Sequence, residues 1–240
     1  MFTRLELQEH PFETLRAWCV HLYTGLGLPL AFAMFVSTHE GNARNMFLFM
    51  LVAFVVDGTD GPMARRFNVL KWAPRFDGRK LDDIIDYLVY VFVPMFFMYR
   101  FGLIAGPWSI TLIMALLASG YGFCSLAAKT ADKYFTGFPS YWNAVAFFLY
   151  LLNLPVMVNG LIVAILAALV FVPAKYDSTQ VMGKFEKLVI LPLVVLGTAY
   201  LLFFRFDQPP QLLVYALLIY PIYHIAHALV AYAREEQKDS

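Results

Sequence analysis

Long apolar blocks are the feature that most constrains the fold of this chain. Each block runs for roughly 17–25 residues, the length that an α-helix needs to cross the hydrocarbon core of a bilayer. The chain is 60% hydrophobic, whereas soluble domains are about 45–50% apolar. The sequence therefore predicts an all-α integral membrane protein. Its net charge of +1 lacks the basic excess typical of nucleic-acid binding, so we expect no nucleic-acid partner.

The order of the apolar blocks predicts a helical bundle of about eight transmembrane helices. The least regular region is 141–173, where Asn153, Pro155 and Asn159 interrupt a continuous apolar stretch. We interpret it as two helices, because one helix of that length would exceed a single crossing; one long kinked segment is the alternative. The predicted spans are 17–36, 45–63, 81–99, 107–127, 141–153, 155–173, 186–204 and 211–232.

The distribution of Lys and Arg predicts how these helices are oriented. With eight spans, all of the 18 basic residues except Arg44, Arg100 and Arg205 fall on one side of the membrane. The positive-inside rule places that side in the cytoplasm, together with both termini. We therefore expect one transmembrane domain over residues 1–240, with a cytoplasmic N-terminal segment at 1–16 and a cytoplasmic tail at 233–240.

Four aspartates stand out where the second predicted helix ends and the third begins. Asp57 and Asp60 are three residues apart, and Asp82 and Asp86 are four apart. Each pair shares one face of a helix at that spacing. The loop between the helices is long enough to let the chain turn and bring the two helix ends together. We expect the four carboxylates to converge at the cytoplasmic side, between helices 2 and 3.

Carboxylates gathered in this way need a compensating charge. Like charges at such range repel, and acids within a membrane are costly. Hard divalent cations such as Mg²⁺ or Mn²⁺ take carboxylate oxygens as natural ligands. Gly58, Gly61 and Gly78 lie among the acids, and glycine allows a ligand to approach the backbone closely. The pattern predicts a site for divalent metal.

A plainer interpretation is that these acids are helix-end residues, solvated or paired with Arg65, Arg79 and Lys80. We accept it for Asp77 and Asp83. It does not account for two spaced pairs that are both bracketed by glycines.

The residues of this stretch also resemble a known family. The order D-x-x-D-G-x-x-A-R followed by G-x-x-x-D-x-x-x-D is similar to the signature of the CDP-alcohol phosphotransferases. Twelve residues separate Arg65 from Gly78, where that family usually has eight. The longer spacing resembles the bacterial phosphatidylcholine synthase branch, as does the segment KYFTGFPSYWN at 133–143. The matching residues are Asp57, Asp60, Gly61, Ala64, Arg65, Gly78, Asp82 and Asp86.

The resemblance implies an enzyme of the bacterial inner membrane that transfers a phosphatidyl group from CDP-diacylglycerol to choline. It implies a homodimer among membrane lipids, two Mn²⁺ or Mg²⁺ ions, and direct displacement without a covalent intermediate. Asp86 would also act as the general base. The implied metal ligands are Asp57, Asp60, Asp82 and Asp86. The implied CDP-binding residues are Asp57, Gly61, Ala64, Arg65, Gly78, Asp82 and Thr24. Thr24 and its neighbour His21 could equally make a hydrogen bond between helices.

Choline has no N–H group, so aromatic faces are its usual partners through cation–π attraction. Tyr141, Trp142 and Tyr23 are the preferred candidates, with Asn143 to orient the rings or touch the ligand. Aromatic residues also anchor helices at membrane interfaces, so this assignment has a structural alternative. Serine, inositol or glycerol phosphate remain alternative acceptors.

A remote alternative is a divalent-cation transporter, which would carry acids near the bilayer midplane on several helices. Here the key acids lie on one side of the membrane. The remaining polar residues invite plainer interpretations. Lys129, Lys133 and Lys187 could bind phosphate, but the positive-inside bias accounts for them as well. His224 and His227 are three apart, and we interpret them as packing residues rather than metal ligands.

Overall fold

The computed structural model describes residues 10–127, 134–177 and 181–239. The chain divides into two compact units, the first ending at Val89 and the second beginning at Tyr90. Residues 1–9 of the predicted cytoplasmic N-terminal segment lie outside the described residues, as do the predicted phosphate candidates Lys129 and Lys133.

The first unit opens with two helices in line, α1 (Pro11–Gly25) and α2 (Gly27–His39). Pro11 stands in the first turn of α1, where its missing N–H costs no hydrogen bond. Leu26 between the helices keeps helical backbone angles. The buried residues of α1 recur at helical spacing and define the face that packs inward. They are Thr14, Ala17, Val20, His21 and Thr24.

The next helix, α3 (Ala43–Arg66), packs along α1 and α2. Asn42 caps its N-terminus, with Oδ1 accepting a hydrogen bond from the backbone N–H of Asn45 at 3.0 Å. The helix runs through Pro62 and ends at Arg66, later than the predicted end of the span at 63. Proline removes only one backbone donor, and the rest of the last two turns continues past it.

A short connection leads from α3 to the helix that carries the second pair of aspartates. It contains α4 (Val69–Trp72), and α5 (Gly78–Asp86) follows. Asp77 caps α5 by accepting a hydrogen bond from the backbone N–H of Lys80 at 3.0 Å, as expected of a helix-end residue. A small apolar cluster fixes the connection against α1. Its buried members are Ala17, Val20, Val69 and Ala73.

The second unit is also largely helical. A π-helical segment (Tyr87–Phe92) crosses the boundary between the units. Among the described residues of the second unit, α7 packs on α9, α6 on α8, and α10 on α11. Two short strands, β1 and β2, pair antiparallel. The elements are α6 (Val93–Arg100), a 3₁₀ turn (Gly106–Ser109), α7 (Ile110–Cys124), β1 (Phe135–Thr136), α8 (Trp142–Leu152), α9 (Val156–Leu169), β2 (Lys175–Tyr176), a π-helix (Glu186–Ile190), α10 (Leu191–Tyr200), a π-helix (Leu201–Arg205) and α11 (Gln211–Asp239).

The region 141–173 forms two helices, as predicted. Asn153 ends α8 in a left-handed conformation with φ 48°, and Pro155 precedes α9. Asn159 is fully buried, and its Nδ2 donates to the carbonyl of Leu103 at 2.9 Å. With 11 and 14 residues, α8 and α9 are both shorter than a helix that crosses a bilayer alone.

Five described segments are long and apolar enough to cross a membrane. The protein is therefore a multi-pass membrane protein, and the crossing number of eight stays a prediction. Five segments are found rather than eight because α8 and α9 are short and because the start of the third predicted span carries the charged residues Asp82, Asp83 and Asp86. The five segments are Pro11–His39, Ala43–Arg66, Gly106–Cys124, Glu186–Arg205 and Gln211–Arg234.

Candidate active site

Three of the four predicted aspartates meet in the first unit. Asp57 comes from α3, and Asp82 and Asp86 come from α5. One carboxylate oxygen of each lies within 4.8 Å of the others, and all three residues are half-buried. Oxygens that share one hard cation at its usual ligand distance lie no more than about 5 Å apart. The three carboxylates therefore fit around a divalent ion.

The fourth aspartate, Asp60, has a different environment. It is buried, with 7% of its surface exposed. The hydroxyl of Thr24 and the backbone N–H of Gly61 hydrogen-bond to its carboxylate. Asp60 lies outside the group formed by the other three acids. The structure thus brings three of the predicted ligands together and holds the fourth about one helical turn away, against α1.

The same place contains a small cavity whose wall includes all four aspartates and Thr24. Sequence reasoning did not name the apolar part of that wall, although Ala53, Val56 and Ile85 lie three or four residues from the aspartates. That helical spacing puts them on the acid-bearing faces and could have identified them. The lining residues are Thr24, Gly27, Ala53, Val56, Asp57, Asp60, Asp82, Ile85 and Asp86.

Tyr23, a predicted choline-binding residue, contacts the acidic turn of α3. Its hydroxyl lies 2.8 Å from Oγ1 of Thr59, a residue between Asp57 and Asp60. Thr59 donates its own hydrogen to the carbonyl of Val55 at 2.8 Å, so Tyr23 is the donor in their hydrogen bond. Thr59 was not predicted from the sequence.

The other residues predicted to bind CDP occupy three different environments. A Cβ added at Gly61 would lie 3.5 Å from Nη1 of Arg65, an ordinary contact, and Arg65 is exposed. Ala64 packs against the apolar cluster between α1 and α4. The position where Gly78 lacks a side chain faces the ring of His21.

The remaining acceptor candidates lie in the second unit. Tyr141 is 46% exposed, whereas Trp142 is fully buried and its Nε1 donates to Oγ of Ser119 at 2.7 Å. Oδ1 of Asn143 is buried and has no hydrogen-bond partner among the described residues. In this structure Trp142 has no surface to offer a ligand.

The two histidines of α11 contact neighbouring side chains. His224 Nε2 lies 2.8 Å from Oε1 of Glu186, and His227 stacks on Tyr223 with ring centroids 5.8 Å apart. In the described part of the chain, neither belongs to a cluster of metal-ligating residues. Both contacts agree with the packing role expected for this pair.

The aspartate arrangement can be compared with known proteins. A family model described as CDP-alcohol phosphatidyltransferase matches residues 20–174, which include the acidic site and more than half of the chain. This chain belongs to that family. The family is enzymatic, and the four aspartates of the motif lie on α3 and α5.

Curated relatives carry a more specific name. A phosphatidylcholine synthase of Pseudomonas aeruginosa is 36% identical over 173 residues, covering 72% of this chain and 73% of the relative. One from Rhizobium meliloti is 33% identical over 208 residues, covering 85% of this chain and 86% of the relative. One from Legionella bozemanae is 42% identical over 129 residues, covering 53% and 59%.

Proposed function

We propose that this protein transfers the phosphatidyl group of CDP-diacylglycerol to choline, which gives phosphatidylcholine and CMP. The single observation that carries the proposal is the convergence of Asp57, Asp82 and Asp86. The shared name of the relatives from Pseudomonas and Rhizobium supports choline as the acceptor.

The acidic site fits the divalent ions that this chemistry needs. We propose Mn²⁺ or Mg²⁺, two ions in all, held by Asp57, Asp82 and Asp86, with Asp60 completing the set. Bound there, the ions would offset negative charge on the diphosphate of the donor and on the departing CMP. Gly61 and Arg65 would line the nucleotide pocket beside them, and a guanidinium suits phosphate oxygens.

Asp86 is the proposed general base. A choline hydroxyl is a weak nucleophile, and a carboxylate beside it is a local proton acceptor. The choline oxygen forms a bond to the phosphatidyl phosphorus as the bond from that phosphorus to the CMP oxygen breaks. The hydroxyl proton passes to the Asp86 carboxylate, and CMP leaves with the electron pair. No covalent intermediate on the protein is required.

Tyr23 is the proposed aromatic partner of the choline ammonium group in the first unit, and Tyr141 is the separate candidate in the second unit. Tyr23 contacts the turn that carries Asp57, and Tyr141 has an exposed ring. Asn143 has a buried oxygen with hydrogen-bonding capacity to spare among the described residues. Trp142 is buried and hydrogen-bonds to Ser119, so we assign it a structural role. A homodimer in the bacterial inner membrane, with both termini cytoplasmic, belongs to the same proposal.

An acceptor screen tests the function directly. The purified protein is incubated with CDP-diacylglycerol labelled in its phosphatidyl group, with Mn²⁺ or Mg²⁺, and with choline, serine, inositol or glycerol phosphate separately. We expect labelled phosphatidylcholine with choline alone, and no product after a chelator removes the metal. Labelled product with another alcohol but not with choline would overturn the acceptor assignment. Metal uptake into liposomes without CMP release would instead support a transporter.

A further inference from the structure

We propose that His21 is a positioning residue that sets the distance between α1 and α5, and with it the approach of Asp82 and Asp86 to Asp57. The inference deepens the proposed function and rests on it, because it assigns a residue to the same site.

His21 contacts the segment that leads into α5. Its side chain is buried on the inward face of α1, with 7% exposed. The ring packs on Phe76 with centroids 4.5 Å apart and meets Trp18 edge-on at 5.7 Å. Phe76 lies two residues before α5 begins, so the imidazole supports the start of that helix.

Gly78, the first residue of α5, faces the same ring. A Cβ at this position would lie 2.6 Å from Cε1 and 3.0 Å from Nδ1 of His21. These distances are closer than nonbonded atoms normally approach. The His21 ring therefore occupies the space that a side chain at position 78 would need. Adding one carbon at Gly78 must push α5 or His21 away.

The contact between His21 and Gly78 affects the positions of Asp82 and Asp86 because of helical geometry. Gly78, Asp82 and Asp86 occupy positions i, i+4 and i+8, so they lie along one face of α5. On this face, one carboxylate oxygen each of Asp82 and Asp86 lies within 4.8 Å of a carboxylate oxygen of Asp57. A change of spacing at the Gly78 end therefore moves both carboxylates relative to α3.

A second close contact holds the other end of α5. Gly27 of α2 faces Ile85, and a Cβ at Gly27 would overlap that side chain. Two tight contacts along one short helix leave little room for α5 to slide. A change in the size of the His21 ring should thus be felt as a tilt of α5.

The contact of His21 with α5 is steric in this structure. Its Nε2 is buried and has no hydrogen-bond partner in the part of the chain that the structure describes. An unpaired buried polar atom is unfavourable for folding, so this nitrogen is not what holds the ring in place. The test therefore changes the sizes of the two side chains.

A double-mutant cycle with His21→Ala, Gly78→Ala and the double variant provides the test. It measures kcat, the KM for CDP-diacylglycerol, and the Mn²⁺ concentration that gives half of the maximal rise in melting temperature. Gly78→Ala should lower kcat by roughly 10- to 100-fold, since small displacements of reacting groups have effects of that size. The double variant should recover at least about tenfold over Gly78→Ala, because residues in contact are not additive.

Control variants distinguish a role of His21 from a general effect of adding a side chain and from failure of the proposed function. Gly120→Ala adds a Cβ in α7 that would meet no atom within 4 Å, and it should keep activity within about twofold. If His21→Ala does not fold, His21→Ser replaces it in the cycle. A double variant no better than the product of the single effects, in kcat and in Mn²⁺ response, overturns the role of His21. If the wild-type protein makes no phosphatidylcholine, the proposed function fails, and the Mn²⁺ response still tests His21.

Discussion

At the scale of single residues, Thr24 connects α1 to the acidic site. Its hydroxyl hydrogen-bonds to the buried carboxylate of Asp60. Thr24→Val keeps the shape of the side chain but removes this bond, which typically contributes about 1.5–3 kcal/mol when one partner is charged. We expect CMP release to fall by roughly 10- to 100-fold. Thr24→Ser keeps the hydroxyl and should retain most of the activity. Equal loss in both variants would contradict a role for the hydrogen bond.

The neighbouring aspartates of the site allow a matched comparison of ligand and non-ligand. Asp57→Ala removes one of the three converging carboxylates, whereas Asp83 is exposed and lies outside that group. We expect Asp57→Ala to lose at least about 100-fold in Mn²⁺ affinity, since even residues behind a ligand contribute 10- to 100-fold. Thermal stabilisation by Mn²⁺ measures the effect, with Asp83→Ala as the control. A normal Mn²⁺ response in Asp57→Ala would contradict the metal assignment.

Residue spacing predicted the convergence of three of the four aspartates because spacing along a helix is a local property. Asp57, Asp82 and Asp86 converge as their helical spacing and the connecting loop indicated. The partners of Asp60 and Gly78 could not be predicted in the same way. Thr24 and His21 lie far from them in sequence, and only the packing of α1 against α3 and α5 brings them close.

At the scale of elements, the start of α8 separates two aromatic residues that the sequence could not distinguish. Tyr141 has an exposed ring, and Trp142 is buried with its indole N–H bound to Ser119. Tyr141 is the N-cap residue of α8 and Trp142 is its first residue, and the sequence did not indicate which of the two side chains faces the core. The proposed role in binding choline therefore passes to the exposed ring.

Kinetics with varied choline test that assignment. Tyr141→Ala should raise the KM for choline by roughly 2- to 30-fold, which corresponds to about 0.5–2 kcal/mol of cation–π attraction. Tyr141→Phe keeps the aromatic face and should leave the KM near the wild-type value. The KM for CDP-diacylglycerol serves as the internal reference in both variants. A rise in KM with Tyr141→Phe as large as with Tyr141→Ala would rule out the ring face.

Some helix boundaries could be predicted from the sequence and others could not. The break between α8 and α9 was predictable, because Asn153 and Pro155 favour an interruption. The extension of α3 through Pro62 was not, since proline usually weakens a helix. The π-helical segments, such as Tyr87–Phe92, leave no simple pattern in the apolar residues.

At the scale of the whole molecule, the exposed surface indicates a lipid environment. Large apolar side chains stand exposed along several of the long helices, a pattern that soluble monomers avoid. In a membrane these side chains would contact lipid tails. Examples are Leu22 at 71%, Phe32 at 68%, Leu117 at 72%, Leu196 at 65% and Phe204 at 75% exposed.

The predicted orientation of the site can be tested at the two ends of α3. Its 24 residues extend for about 36 Å, enough to cross a bilayer. Glu40 precedes the helix and Leu70 follows it, and both are exposed. The basic residues after α3 predict that Leu70 lies in the cytoplasm. In a variant without native cysteines, Glu40→Cys should react with an impermeant maleimide in right-side-out vesicles, and Leu70→Cys only in inside-out vesicles. Because Asp57 and Asp60 lie nearer the Leu70 end, the reverse pattern would place the site on the opposite side and contradict the predicted cytoplasmic orientation.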